Sequence, residues 1–105
     1  MSSPEELRQR TKRFAIRIVR LYRSLPMKGD AQVIGKQLLR SGTSIGANYR
    51  AACRGCSRAE FISNLGTVVE EADETMYWLK LLSIPDTRLH FEERVKKQLK
   101  LQITN

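Results

Sequence analysis

The sequence is short of the residues from which most active sites are built. Among 105 residues it has one histidine, His90, and two cysteines, Cys53 and Cys56. A structural zinc needs four ligands, and a thioredoxin-like redox motif needs a strand before it, which this sequence does not indicate. No nucleophile stands at a useful spacing from a base. We therefore predict no catalytic residue, no metal site and no cofactor, and we do not expect an enzyme or a small-molecule substrate.

Long apolar runs are also missing. No stretch approaches the 18 or more apolar residues that span a membrane, and residues 1–13 are polar and charged without a hydrophobic segment. We expect a cytoplasmic protein that makes no membrane contact. The length of 105 residues suits one domain over residues 1–105, large enough for a modest core.

Acidic residues are scarce in the first half of the chain. Residues 1–58 hold thirteen lysines and arginines against three acidic residues, whereas residues 59–105 hold six against eight. Between Arg8 and Lys28 there are eight basic residues and no acidic one. The whole excess charge of +8 therefore comes from the first half. Such asymmetry is typical of proteins that bind nucleic acid or an acidic partner, or that pair oppositely charged halves of neighbouring subunits.

Helical periodicity runs through the chain, and no strand pattern appears. Ser3 with Glu6 and Ser57 with Glu60 have the spacing of capping boxes, and Asp30 is expected to cap the second helix after the Pro26 to Gly29 break. A fourth helix is predicted after Pro85, with Phe91, Val95, Leu99 and Ile103 at intervals of four. Four helices with short connections predict an all-α fold, an antiparallel up-down four-helix bundle.

The second predicted helix carries three glycines on one face. Gly35, Gly42 and Gly46 share this face with Tyr49. Each glycine inside a helix costs about 1 kcal/mol relative to alanine. We therefore predict that another helix packs very closely against these four residues.

Arginines form a stripe along the first predicted helix. Arg10, Arg13, Arg17 and Arg20 are separated by 3, 4 and 3 residues, and Lys12 lies beside them. Arginines on one face suit contacts with phosphates that do not depend on base sequence. The alternative is that this stripe pairs with Glu70, Glu71, Asp73 and Glu74 of the third helix, within one subunit or between neighbours. We favour nucleic-acid binding through the five basic residues.

The end of the third helix is apolar nearly all round. Its residues Tyr77, Trp78, Leu81 and Leu82 cover several sides of the helix. A domain of this size does not easily bury every side of a helix end, so we predict an oligomer interface at these four residues.

Residues 37–82, from QLLRSGTSIGANYR to ETMYWLKLL, resemble the bacterial four-helix bundle protein family. This family includes proteins encoded by intervening sequences in large-subunit ribosomal RNA genes, and it is related to accessory variability proteins of diversity-generating retroelements. The resemblance implies a small bundle assembled into a ring of five subunits that binds nucleic acid and, in retroelements, a reverse transcriptase. It implies no enzymatic activity.

Two functions remain open at this point. The first is a non-catalytic basic scaffold, oligomeric, that binds structured RNA or a DNA–RNA hybrid through charge and shape. The second is a protein-interaction adaptor, such as an accessory subunit of a reverse transcriptase, without direct contact with nucleic acid. The two differ in whether the purified protein binds RNA by itself.

Overall fold

The computed structural model describes residues 3–54, residues 57–82 and Lys97. Within them lie three helices and no strand: α1, Pro4–Ser24; α2, Gly29–Ala52; and α3, Arg58–Leu81. The all-α prediction is confirmed for this part of the chain. The predicted fourth helix falls outside the described residues except at Lys97, which is helical.

Serine side chains begin α1 and α3. The Ser3 hydroxyl accepts a hydrogen bond from the Glu6 amide at 3.1 Å, and the Ser57 hydroxyl accepts one from the Glu60 amide at 3.2 Å. Each bond satisfies an amide that has no partner within its own helix. Both helices therefore begin at the predicted residues.

The start of α2 differs from the prediction. The helix begins at Gly29, whose φ of 64° lies in the left-handed region that favours glycine, and Asp30 lies inside the first turn. The prediction that Asp30 caps α2 is therefore wrong, because the helix is already entered at Gly29 and the cap position is Lys28, two residues earlier. The Asp30 carboxylate instead lies where a negative charge interacts favourably with the helix dipole.

The helix α2 packs against both α1 and α3. Its Leu38, Ile45 and Tyr49 are fully buried in the core. The other two helices contribute Leu7, Phe14 and Ile18 from α1, and Leu65, Val68, Ala72 and Leu79 from α3. Both α1 and α3 are therefore packed against α2.

Glycines bring α1 close to α2. A Cβ added at Gly42 would lie 2.9 Å from both Cγ1 and Cγ2 of Ile18, and one added at Gly46 would lie 3.2 Å from Thr11 Oγ1. A Cβ at Gly35 would lie 3.0 Å from Leu25 Cδ1. The order of these contacts runs backwards along α1, so the two helices are antiparallel. The three glycines and Tyr49 are all buried.

Side-chain contacts hold α3 against α2. At the middle of this contact the hydroxyl oxygens of Ser41 and Thr75 lie 2.9 Å apart, and both side chains are fully buried. Thr75 also bonds the Glu71 carbonyl at 2.7 Å. A buried hydroxyl needs such partners, so this pair fixes how α3 sits along α2.

Candidate nucleic-acid interface

The predicted basic residues occupy the outer part of α1. Lys12, Arg13, Arg17 and Arg20 are exposed, and Arg10 is half-buried. The buried seam of α1, formed by Leu7, Thr11, Phe14 and Ile18, lies on the opposite side of the helix. Arg10 and Arg17 also interact with other groups of the chain. The fold therefore presents Lys12, Arg13 and Arg20 most directly at the surface.

Three further cations adjoin this surface and were not part of the sequence prediction. Arg23 is exposed and lies eleven residues, about three turns, after Lys12 on the same side of α1. Arg8 lies one turn before Lys12, near Cys53 at the end of α2. Arg50 of α2 is close enough to Glu5 to contribute to lowering the pKa of that carboxylate. The predicted stripe was counted from Arg10 in steps of three and four residues. Counting three turns, or eleven residues, from Lys12 would have found Arg23.

Arg8 is the member of this group that a carboxylate neutralises. Its Nη2 lies 2.8 Å from Glu5 Oε2, and this hydrogen bond raises the pKa of Arg8. The pKa of Glu5 is lowered, first by a hydrogen bond from Gln9 and then by Arg8. The positive surface of α1 therefore begins beyond this first turn.

Within the described chain, two carboxylates of α3 bind α2 instead of the stripe on α1. Arg40 of α2 lies 3.2 Å from Glu71 Oε2 and also hydrogen-bonds Glu74 through its Nη2. The indole Nε1 of Trp78 donates a second bond to Glu74 at 3.1 Å. The Arg40 bond is the main cause that lowers the pKa of Glu74, and the same bond raises that of Arg40. Two acidic groups of α3 are thus held by α2 rather than by the stripe on α1.

The four residues predicted to form an oligomer interface divide into two pairs. Tyr77 is 55% exposed and Leu81 is 48% exposed, and they are one turn apart on α3. Trp78 and Leu82 are half-buried and pack against the core. The Trp78 ring meets Tyr77 edge-on, with ring centroids 5.1 Å apart. Only the first pair is presented at the surface of α3.

Residues that could hold a metal do not come together in the described part of the chain. No group of three or more histidine, cysteine, aspartate or glutamate side chains is found there. Cys53 is half-buried against the core, while Cys56 and His90 lie outside the described residues. None of the three helices is long and apolar enough to cross a membrane.

Comparison with known proteins places the chain in a family. A crystal structure of a protein of unknown function from the S23 ribosomal protein family of Bacteroides thetaiotaomicron is 38% identical. The match covers 94% of this chain and 99% of that protein, with a TM-score of 0.84. No curated protein matches significantly. The sequence profile described as 23S rRNA-intervening sequence protein matches residues 5–104, and the chain therefore belongs to that family.

Proposed function

We propose that the protein is a non-catalytic, basic, oligomeric scaffold of the cytoplasm that binds structured RNA or a DNA–RNA hybrid through charge and shape. The observation that carries this proposal is the contrast between two sets of charges. Lys12, Arg13 and Arg20 are exposed on α1, whereas Glu71 and Glu74 are engaged by Arg40. The proposal assigns no reaction, metal or cofactor to the chain.

The overall charge supports binding to a polyanion. The chain carries +8, and α1 alone has seven lysines and arginines against two glutamates. Phosphate contacts from such a surface are independent of base sequence and weaken as salt rises. The family is named for proteins linked to intervening sequences in 23S rRNA, which agrees with an RNA ligand.

The proposed assembly is a four-helix bundle repeated in a ring, with five subunits as the resemblance implies. The exposed pair Tyr77 and Leu81 supports a contact with a second protein surface near the end of α3. Five chains would together carry about +40, so basic surface would remain after assembly.

The same exposed pair favours one alternative, the adaptor that binds a protein such as a reverse transcriptase. In that case Tyr77 and Leu81 would contact the partner, and nucleic acid would be bound only through the partner. Alanine at both residues would then abolish partner binding while the RNA affinity of the purified protein stayed negligible.

The test is fluorescence anisotropy with a structured RNA, using the full-length protein over a range of salt concentrations. Replacing Lys12, Arg13 and Arg20 with alanine is expected to reduce the slope of log affinity against log salt by about 2 to 3, since each phosphate contact contributes about 0.7 to 0.9. The control replaces Arg58 and Lys80, the basic residues of α3, and should change the slope little. An unchanged affinity and slope in the triple variant would contradict the proposal.

A further inference from the structure

The outer face of α1 carries two rows of cations rather than one. Arg13 and Arg20 are exposed on one side of Ile16, and Lys12 and Arg23 are exposed on the other. Ile16 is 40% exposed and lies opposite the buried seam of the helix. We name Arg13 and Arg20 the first row, and Lys12 and Arg23 the second row.

One basic residue of α2 lies near the N-terminal end of the second row. Arg50 is exposed and contributes to lowering the pKa of Glu5, which lies two turns before Lys12. Arg8, one turn before Lys12, is paired with Glu5 and is therefore not counted in the row. The second row consists of Lys12 and Arg23, with Arg50 as a basic neighbour at one end.

The two rows run side by side along the helix axis. With a rise of 1.5 Å per residue, the first row spans about 10 Å of the helix and the second about 16 Å. A helix with its side chains is about 10 to 12 Å wide, and this width sets the separation that the two rows can span. A single strand offers one line of phosphates, whereas a duplex offers two lines with a groove between them.

The residue between the rows points to a particular kind of groove. Ile16 has no hydrogen-bond donor for a phosphate, so it suits a position over the groove floor. The major groove of A-form RNA is too deep and narrow for side chains to read, whereas its minor groove is wide and shallow. The minor groove of B-form DNA is only about 6 Å wide.

We propose that α1 lies along the minor groove of an A-form duplex, with the first row on the phosphates of one strand and the second row on those of the other. This inference rests on the proposed function and narrows it to a double-stranded ligand. Recognition is then by shape, because neither row reaches base edges that distinguish one sequence from another.

The experiment compares an RNA duplex of about 16 base pairs with an unstructured RNA strand that has the same number of phosphates. The full-length protein is titrated into each by anisotropy, with a DNA duplex of the same sequence as the third ligand. We expect the RNA duplex to bind about tenfold more tightly than the single strand and several-fold more tightly than the DNA duplex. Equal affinity for the RNA and DNA duplexes would overturn the assignment to A-form geometry.

Two matched variants test the two rows separately. Arg13→Ala with Arg20→Ala, and Lys12→Ala with Arg23→Ala, should each reduce the salt slope on the RNA duplex by about 1.5. The control is Arg58→Ala with Lys80→Ala, which removes the same charge from α3, and circular dichroism verifies that all variants fold. On the single-stranded RNA, only one of the two row variants should reduce the salt slope.

The outcomes separate this inference from the proposed function. The groove inference is wrong if the protein binds the duplex and the single strand with equal affinity. It is also wrong if only one row variant reduces the salt slope on the duplex. In both cases α1 contacts a single line of phosphates, and the proposal of RNA binding stands. If no nucleic acid binds at either low or physiological salt, both proposals are wrong.

Discussion

The two helices that flank α2 have opposite charges and are held by different contacts. The first, α1, has seven basic residues against two acidic ones, while α3 has five acidic residues against two basic ones. Side chains of α2 bind α3 through Arg40 and the buried Ser41, whereas α1 is held by close approach to glycines. Arg40 of α2 therefore neutralises two carboxylates of α3, whereas Lys12, Arg13 and Arg20 of α1 are exposed at the surface.

The largest expected effect on stability comes from filling the space that α1 requires. Gly42→Ala places a Cβ 2.9 Å from two carbons of Ile18, whose side chain is 3% exposed and has little room to move. Overpacking of this kind costs about 1 to 3 kcal/mol, and the gain in helix propensity offsets only about 1 kcal/mol. Chemical denaturation should show a net loss of up to about 2 kcal/mol in the free energy of unfolding.

Gly66 of α3 is the matched control for Gly42. A Cβ added there meets nothing within 4 Å, so Gly66→Ala should raise the free energy of unfolding by about 0.5 to 1 kcal/mol. Ile18→Ala should make room for the new methyl, so that Gly42→Ala costs less in that background. Equal effects of the two glycine substitutions would contradict the difference between the α1 and α3 contacts.

The next effect concerns the buried hydroxyl pair that positions α3. Thr75→Val keeps the shape of the side chain but removes the bonds to Ser41 and to the Glu71 carbonyl, and should cost about 1 kcal/mol. Thr67→Val is the comparison, because Thr67 is exposed and lies 3.5 Å from the Ser63 carbonyl. Thermal unfolding of both variants would measure the difference, and a cost at Thr67 as large as at Thr75 would argue against the buried pair.

The smallest stability effect is expected for the Arg40 cluster. Arg40→Leu leaves Glu71 and Glu74 without their cation, and partly exposed ion pairs contribute about 0.5 kcal/mol each. Lys36→Leu removes an exposed cation one turn earlier on the same helix and should be nearly neutral. Urea unfolding at neutral pH distinguishes the two variants.

The pH dependence of the same variant gives a second readout. The pKa of Glu74 is lowered from its ordinary value of 4.5 by the Arg40 bond, so the folded state binds fewer protons there than the unfolded state. Its contribution to stability is therefore present above pH 4.5 and is lost as pH falls through the lowered pKa. The difference between the wild type and Arg40→Leu should shrink over that range, and a difference independent of pH would contradict the assignment.

Local sequence signals predicted much of this structure. The serines at positions 3 and 57 form caps because the capping interaction depends only on residues three apart. The start of α2 was misplaced by two residues, because the positive φ of Gly29 is a property of the turn rather than of side-chain type.

Contacts between helices were harder to predict from the sequence. The stripe on α1 and the carboxylates of α3 have complementary charges, but only the fold shows that Arg40 lies nearer to Glu71 and Glu74. Trp78 was predicted to share an oligomer interface with Tyr77, and only the fold shows that it is half-buried against the core and donates a bond to Glu74. The pattern of charges along a sequence does not determine which oppositely charged side chains form ion pairs in the fold.

The most direct test of the account is light scattering after size exclusion, with and without a structured RNA, at low and at physiological salt. We expect a stable oligomer that takes up RNA, with less RNA bound at the higher salt because phosphate contacts weaken as salt rises. An oligomer that binds no RNA at either salt would contradict the account, since the cations of α1 would then be engaged by other protein surfaces.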